Sequence, residues 1–131
     1  MPHDEEASTV LDDAQTYAII GAAMEVHGEL GPGYLEQVYQ EALSLELEWR
    51  DIPAAPQTRL RIEYKGKLLQ HHYIPDFICF ETIVVEIKAH STPLTRAGGK
   101  QILNAMKCAG MTTGLLINFG RDDLDYKRFL R

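Results

Sequence analysis

The sequence predicts an α/β fold of element order ααβββαβ, with a mixed four-stranded sheet flanked by helices, on three observations. The apolar period is helical as far as Trp49 and becomes two after the Pro53 to Pro56 segment. The run Ile83-Val84-Val85-Glu86-Ile87-Lys88 is rich in β-branched residues, as a central strand requires. A helical pattern then separates that run from Leu115-Leu116-Ile117, and a helix between two strands of one sheet makes them parallel through a right-handed crossover. With 131 residues the chain is expected to be one domain over 1–131, with residues 1–11 a flexible N-terminal tail.

The first helix is expected from Asp12 or Asp13, either of which can cap it, with Tyr17, Ile20, Met24 and His27 as its apolar row. Gly31-Pro32-Gly33 breaks it, because proline cannot continue a helix and glycine admits unusual dihedrals. A second helix starts near Tyr34, with Leu35, Val38, Ala42, Leu45 and Trp49 as its core stripe. Glu36, Tyr39 and Glu46 form a row beside that stripe, so Glu36 is placed at the margin of the core.

After the proline linker, Leu60, Ile62 and Tyr64 alternate with Arg59, Arg61 and Glu63, the pattern of a half-buried strand. Lys65-Gly66-Lys67 is the turn into a second strand, Leu68 to Phe80, and Glu81-Thr82 lead into the third. These three make a meander. The third helix is expected over Thr95 to Ala109 with Gly110 as its C-terminal cap, and Tyr126 to Arg131 can add an edge strand.

The net charge of -6 argues at first against a phosphate-bearing partner. Its distribution reverses the inference: residues 1–51 hold twelve acids and one base, whereas residues 52–131 hold twelve bases and seven acids. No acid occurs between Glu86 and Asp122. No apolar run approaches the roughly 18 residues of a membrane span. Two cysteines, Cys79 and Cys108, without a CxxC spacing or a secretory leader, predict a reduced cytoplasmic protein.

Charged residues are unusual in buried strands, yet Glu86 and Lys88 lie in the most apolar one and Asp76 in the strand before it. Two carboxylates on adjacent strands can hold Mg²⁺ or Mn²⁺, which prefer hard oxygen ligands, and the ion can activate water against a phosphodiester. Lys88, two residues after Glu86, lies on the same strand face and can orient the water or stabilise the charged transition state. A buried ion network serving only the fold is the competing reading of the same three residues.

Pro75-Asp76, Glu86-Ile87-Lys88 and a following helix with Gln101 resemble the PD-(D/E)xK nuclease superfamily, whose core is restriction-endonuclease-like. Gly33-Tyr34-Leu35-Glu36-Gln37-Val38-Tyr39, then Gln101-Ile102-Leu103-Asn104, Gly114 to Gly120 and Lys127-Arg128, are similar to the small bacterial and archaeal GxxExxY proteins. The resemblance implies Asp76, Glu86, the Ile87 carbonyl and Glu36 as metal ligands, with Lys88 and Gln101 completing the catalytic set. It departs at Ala105, where the family commonly carries tyrosine. His27 and Tyr39 are candidate supports of Glu36, and Arg59, Arg61, Lys65, Lys67 and Lys100 candidate phosphate contacts. The expected function is a Mg²⁺- or Mn²⁺-dependent nuclease acting on nucleic acid, DNA rather than RNA, with a homodimer possible and no membrane. A non-catalytic nucleic-acid-binding or assembly module is the alternative.

One geometric condition governs this reading. A two-residue Glu81-Thr82 hairpin, with Phe80 opposite Ile83, would put Asp76 on the face opposite Glu86 and Lys88. The site requires a shifted register, such as Phe80 opposite Val84, or a bulge near Pro75.

Overall fold

The computed structural model describes residues 14–131 in full and residues 3–13 by the course of helix α1 alone; that helix begins at His3, ahead of the expected Asp12 or Asp13 start, and runs through residues 3–11 of the segment expected as a tail. The elements are α1 (His3–Leu30), α2 (Glu36–Trp49), β1 (Ala54–Pro56), β2 (Leu60–Tyr64), β3 (Lys67–Tyr73), β4 (Phe77–Cys79), β5 (Ile83–Lys88), α3 (Lys100–Ala109), β6 (Thr113–Asn118) and β7 (Asp125–Leu130). A single 3₁₀ turn, Ala97–Gly99, leads into α3, so that helix starts later than Thr95. Gly110 closes it at φ 67°, the left-handed cap expected there. No helix among the described residues is long and apolar enough to cross a membrane.

The sheet is five-stranded, ordered β1-β4-β5-β6-β7, and β5 and β6 are its one parallel pair. This α/β arrangement with a mixed sheet agrees with the expected class, with three differences. The Pro53–Pro56 linker is an edge strand, Ala54 opposite Cys79, where Pro56 costs little because an edge position need not donate to a neighbour. The predicted Leu68–Phe80 strand divides at Pro75 into β3 and β4. β2 and β3 consequently leave the main sheet and pair only with each other, which explains why Ile62, Tyr64 and Leu68 are exposed. The terminal segment forms β7 on the opposite edge, as expected.

Alternation along β5 divides the interior. Ile83, Val85 and Ile87 pack with Phe77, Leu115, Ile117 and Phe119 against α1 and α2. Val84 and Leu116 face the other way, against Ile102, Ala105 and Met106 of α3. The helix-facing rows of α1 and α2 differ from expectation. α1 buries Thr16, Ile19, Ala22, Ala23 and Val26, leaving Tyr17 and Met24 outside, and α2 buries Tyr39, Leu43 and Leu47 while Leu35, Val38, Leu45 and Trp49 are exposed. Both helices carry more than one apolar row at helical spacing, and burial has gone to rows with Ala22 and Ala23, which admit close approach, and with Tyr39, whose ring stacks on Phe119 at 4.8 Å.

Candidate active site

The β4–β5 connection meets the geometric condition by a route the sequence did not specify. Cys79 stands opposite Ile83, Ile78 opposite Val84 and Phe77 opposite Val85, leaving a three-residue loop, Phe80-Glu81-Thr82. Phe80 and Glu81 both take left-handed conformations, φ 54° and 60°, to close it. Carrying this register one residue beyond β4 sets Asp76 opposite Glu86, on the α3 side of the sheet with Lys88.

The two carboxylates are tied to each other's backbone. The Asp76 N–H donates to Glu86 Oε1 at 2.9 Å, and the Ile87 N–H donates to Asp76 Oδ2 at 2.7 Å. The Tyr73 hydroxyl, from the end of β3, donates to Glu86 Oε2 at 2.7 Å. Glu86 is only 8% exposed, which makes it the one buried acid among the described residues. Burial raises its carboxyl above the usual range, with the charge of Asp76 adding to the effect and the Tyr73 bond opposing it. Burial likewise raises Asp76, opposed by the Ile87 N–H, with Glu36 adding repulsion and Lys88 attraction. Tyr73 is raised by burial and by its bond to Glu86. At both acids desolvation outweighs the hydrogen bonds and the Lys88 charge that favour the ionised form.

The register also bears on Ile87. Carried two residues beyond Phe77 and Val85, the register sets Ile87 opposite Pro75, which lies outside β4 and has no N–H to donate. The Ile87 carbonyl and the Asp76 and Glu86 carboxylates form a hard-oxygen donor set suited to Mg²⁺ or Mn²⁺. No three His, Cys, Asp or Glu side chains among the described residues are grouped closely enough to hold one ion. Glu36, exposed on the first turn of α2, is near enough to act on Asp76 electrostatically.

The other expected residues divide between this site and the fold. Gln101 lines one cleft with Tyr73, the residue whose hydroxyl bonds Glu86. Ala105 is buried between α3 and the sheet and presents nothing to the site. The His27 ring nitrogen Nε2 is 2.8 Å from the Arg121 carbonyl oxygen and its ring lies near Phe119, so it braces a distant loop. Tyr39 does not bond Glu36; its hydroxyl donates to the Gly31 carbonyl and accepts from the Tyr34 N–H at 3.2 Å. Tyr39 thereby fixes the Gly31–Gly33 turn from which α2, and with it Glu36, departs. Arg59, Arg61, Lys65, Lys67 and Lys100 are all exposed, the first four in or beside the β2–β3 hairpin and Lys100 at the start of α3.

Two contributors were not foreseen. Tyr73 carries no signal of its own, following the polar Gln70-His71-His72 on a mostly exposed strand. Asn118 does: it is a fully buried amide at the end of an apolar strand. Its Oδ1 accepts from the N–H groups of His90 and Gly120, both at 3.0 Å, and its Nδ2 donates to the carbonyls of His90 at 2.9 Å and Thr92 at 3.1 Å. The Phe119 N–H donates to the Lys88 carbonyl at 2.9 Å. A Cβ on Gly120 would lie 2.4 Å from the His90 nitrogen. Asn118-Phe119-Gly120 is thus a backbone clamp on the segment that leaves Lys88.

A sequence profile described as the PD-(D/E)XK nuclease superfamily matches residues 13–129. Among solved structures, a crystal structure of SSO0001 is similar, with 16% identity and a TM-score of 0.56 over 72% of this chain and 49% of that one. The present chain therefore spans about half the length of that protein, and the likeness concerns the fold. No match is found among curated proteins.

Proposed function

Given that the chain belongs to the PD-(D/E)XK nuclease superfamily, we propose that it is a metal-dependent nuclease of the GxxExxY type that hydrolyses phosphodiester bonds, with DNA as substrate. The observation that supports this most strongly is the β4–β5 register, which gathers Asp76, Glu86 and Lys88 at one end of the sheet and desolvates both acids. Asp76, Glu86 and the Ile87 carbonyl would hold Mg²⁺ or Mn²⁺. When bound, such an ion lowers the pKa of a water and offsets charge on the phosphate. Glu36 orients water from the α2 side. The Lys88 ammonium, drawn to both carboxylates, stabilises the extra negative charge that develops when the water oxygen bonds to phosphorus and the leaving P–O bond breaks. Tyr73 keeps the Glu86 carboxylate turned toward Asp76. The exposed Arg59, Arg61, Lys65, Lys67 and Lys100 supply phosphate contacts.

The test is a cleavage assay with Mn²⁺ on labelled single-stranded, duplex and branched DNA and on RNA. Cleavage that depends on the ion and is lost in Lys88→Ala, with the fold intact by circular dichroism, is the expected result. Binding without cleavage on every substrate, unaffected by Lys88→Ala, would instead identify a non-catalytic nucleic-acid module.

A further inference from the structure

A cleft of about 610 Å³ lies between the β2–β3 hairpin and α3, within the roughly 300–1,000 Å³ of small-ligand pockets. The hairpin is outside the main sheet and stands beside α3 as an arm, where the Cys108 thiol donates to the Arg61 carbonyl at 2.9 Å. Tyr73 lines the cleft and its hydroxyl is bonded to Glu86, so the cleft adjoins the carboxylate site through that one side chain.

The lining has a particular chemistry. Ile62, Leu68 and the Tyr73 ring give apolar and aromatic surfaces, while the amides of Gln101 and Asn104 offer both donors and acceptors. Arg61 and Lys107 add positive charge. Glu63 also lines the space, which disfavours a phosphate inside it and favours a neutral group with N–H donors, leaving the cations to meet phosphates at the margins. A flat heteroaromatic ring with hydrogen-bonding edges and a phosphate on either side satisfies all of these: a nucleobase within a strand.

Resting on the nuclease reading above, we infer that this cleft takes one unpaired nucleobase next to the scissile phosphate, so that the substrate is single-stranded or locally opened nucleic acid. A base inside a duplex can enter only by leaving its stack, which costs a few kcal/mol. A single strand offers the base without that cost, and stacking on one aromatic side chain supports roughly tenfold or greater preference.

The experiment is fluorescence anisotropy with a labelled oligonucleotide, single-stranded and as a blunt duplex, in Ca²⁺, alongside Mn²⁺ cleavage of the same two substrates. Asn104→Trp fills the cleft from an exposed helix position, and Leu68→Asp changes its opposite wall from an exposed strand position. Tighter binding of the single strand by about tenfold, reduced to parity in both variants with unchanged melting temperatures, is expected. Equal binding of the two forms by the wild type, or a preference that survives in both variants, overturns the inference. Cleavage of duplex and single strand at equal rates would overturn it while leaving the nuclease reading intact. A variant-sensitive single-strand preference without cleavage would do the reverse.

Discussion

Asn118 gives the clearest test of how the sheet holds Lys88 in place. Its amide makes four hydrogen bonds of 2.9–3.1 Å, to the N–H and carbonyl of His90, the carbonyl of Thr92 and the N–H of Gly120. At about 1 kcal/mol net per bond, Asn118→Ala forfeits up to about 4 kcal/mol. His90 and Thr92 lie on an exposed segment and can recover water, which lowers the expected loss to about 2–3 kcal/mol. Asn118→Asp keeps the two acceptor contacts but loses both donors and sets a carboxylate oxygen against two carbonyls, so at neutral pH it should be at least as harmful. Equilibrium unfolding in urea measures this, with the midpoint falling and the slope unchanged. A loss below about 0.5 kcal/mol for Asn118→Ala, or an Asn118→Asp protein as stable as wild type, would refute the clamp.

Other substitutions probe the same account. Gly120→Ala would place a Cβ within 2.4–2.6 Å of the His90 and Ala89 backbone, and should cost at least about 1–3 kcal/mol, read as a fall in melting temperature. Tyr39→Phe keeps the stack on Phe119 but removes the hydroxyl from Gly31 and Tyr34; a loss of about 1–3 kcal/mol in urea unfolding is expected. Because burial raises Asp76 and Glu86 in the folded state, their contribution to stability is full below the unfolded carboxyl range near about 4 and is lost as pH rises through the raised values. The melting temperature in EDTA should therefore gain on acidification from pH 8 relative to Glu86→Gln, and parallel curves for the two proteins would contradict that. Tyr73→Phe removes a bond that favours ionised Glu86, so the pH at which Mn²⁺ binding reaches half its maximum should move upward in calorimetric titrations.

Much of this architecture was legible in the sequence because its signals are local. The Gly31-Pro32-Gly33 break, the β-branched run at Ile83–Lys88, the Gly110 cap and the parallel β5–β6 pair each follow from residue chemistry at one place. Which face a helix buries is a tertiary decision. α2 offers both Leu35-Val38-Ala42-Leu45-Trp49 and Tyr39-Leu43-Leu47, and the stack of Tyr39 on Phe119 joins residues eighty positions apart. The candidate site shows the same division. Asp76, Glu86 and Lys88 stand out as charges in apolar strands, but their common face depends on a loop closed by left-handed Phe80 and Glu81, residue types that give no warning of that conformation. Tyr73 reaches Glu86 only because Pro75 ends the hairpin strand and lets the chain turn into β4.

The central claim is that Asp76 and Glu86 form one desolvated site built for a divalent cation. Calorimetric titration of Mn²⁺ into the wild type and Glu86→Gln, with metal-free melting temperatures measured in parallel at pH 8, tests it most directly. The predicted result is Mn²⁺ binding by the wild type, its loss in Glu86→Gln, and a variant at least as stable as wild type without metal, since a buried charge has been removed. Undiminished Mn²⁺ binding by a folded Glu86→Gln protein would contradict the claim, and a large drop in its metal-free stability would mark the carboxylates as a structural ion network instead.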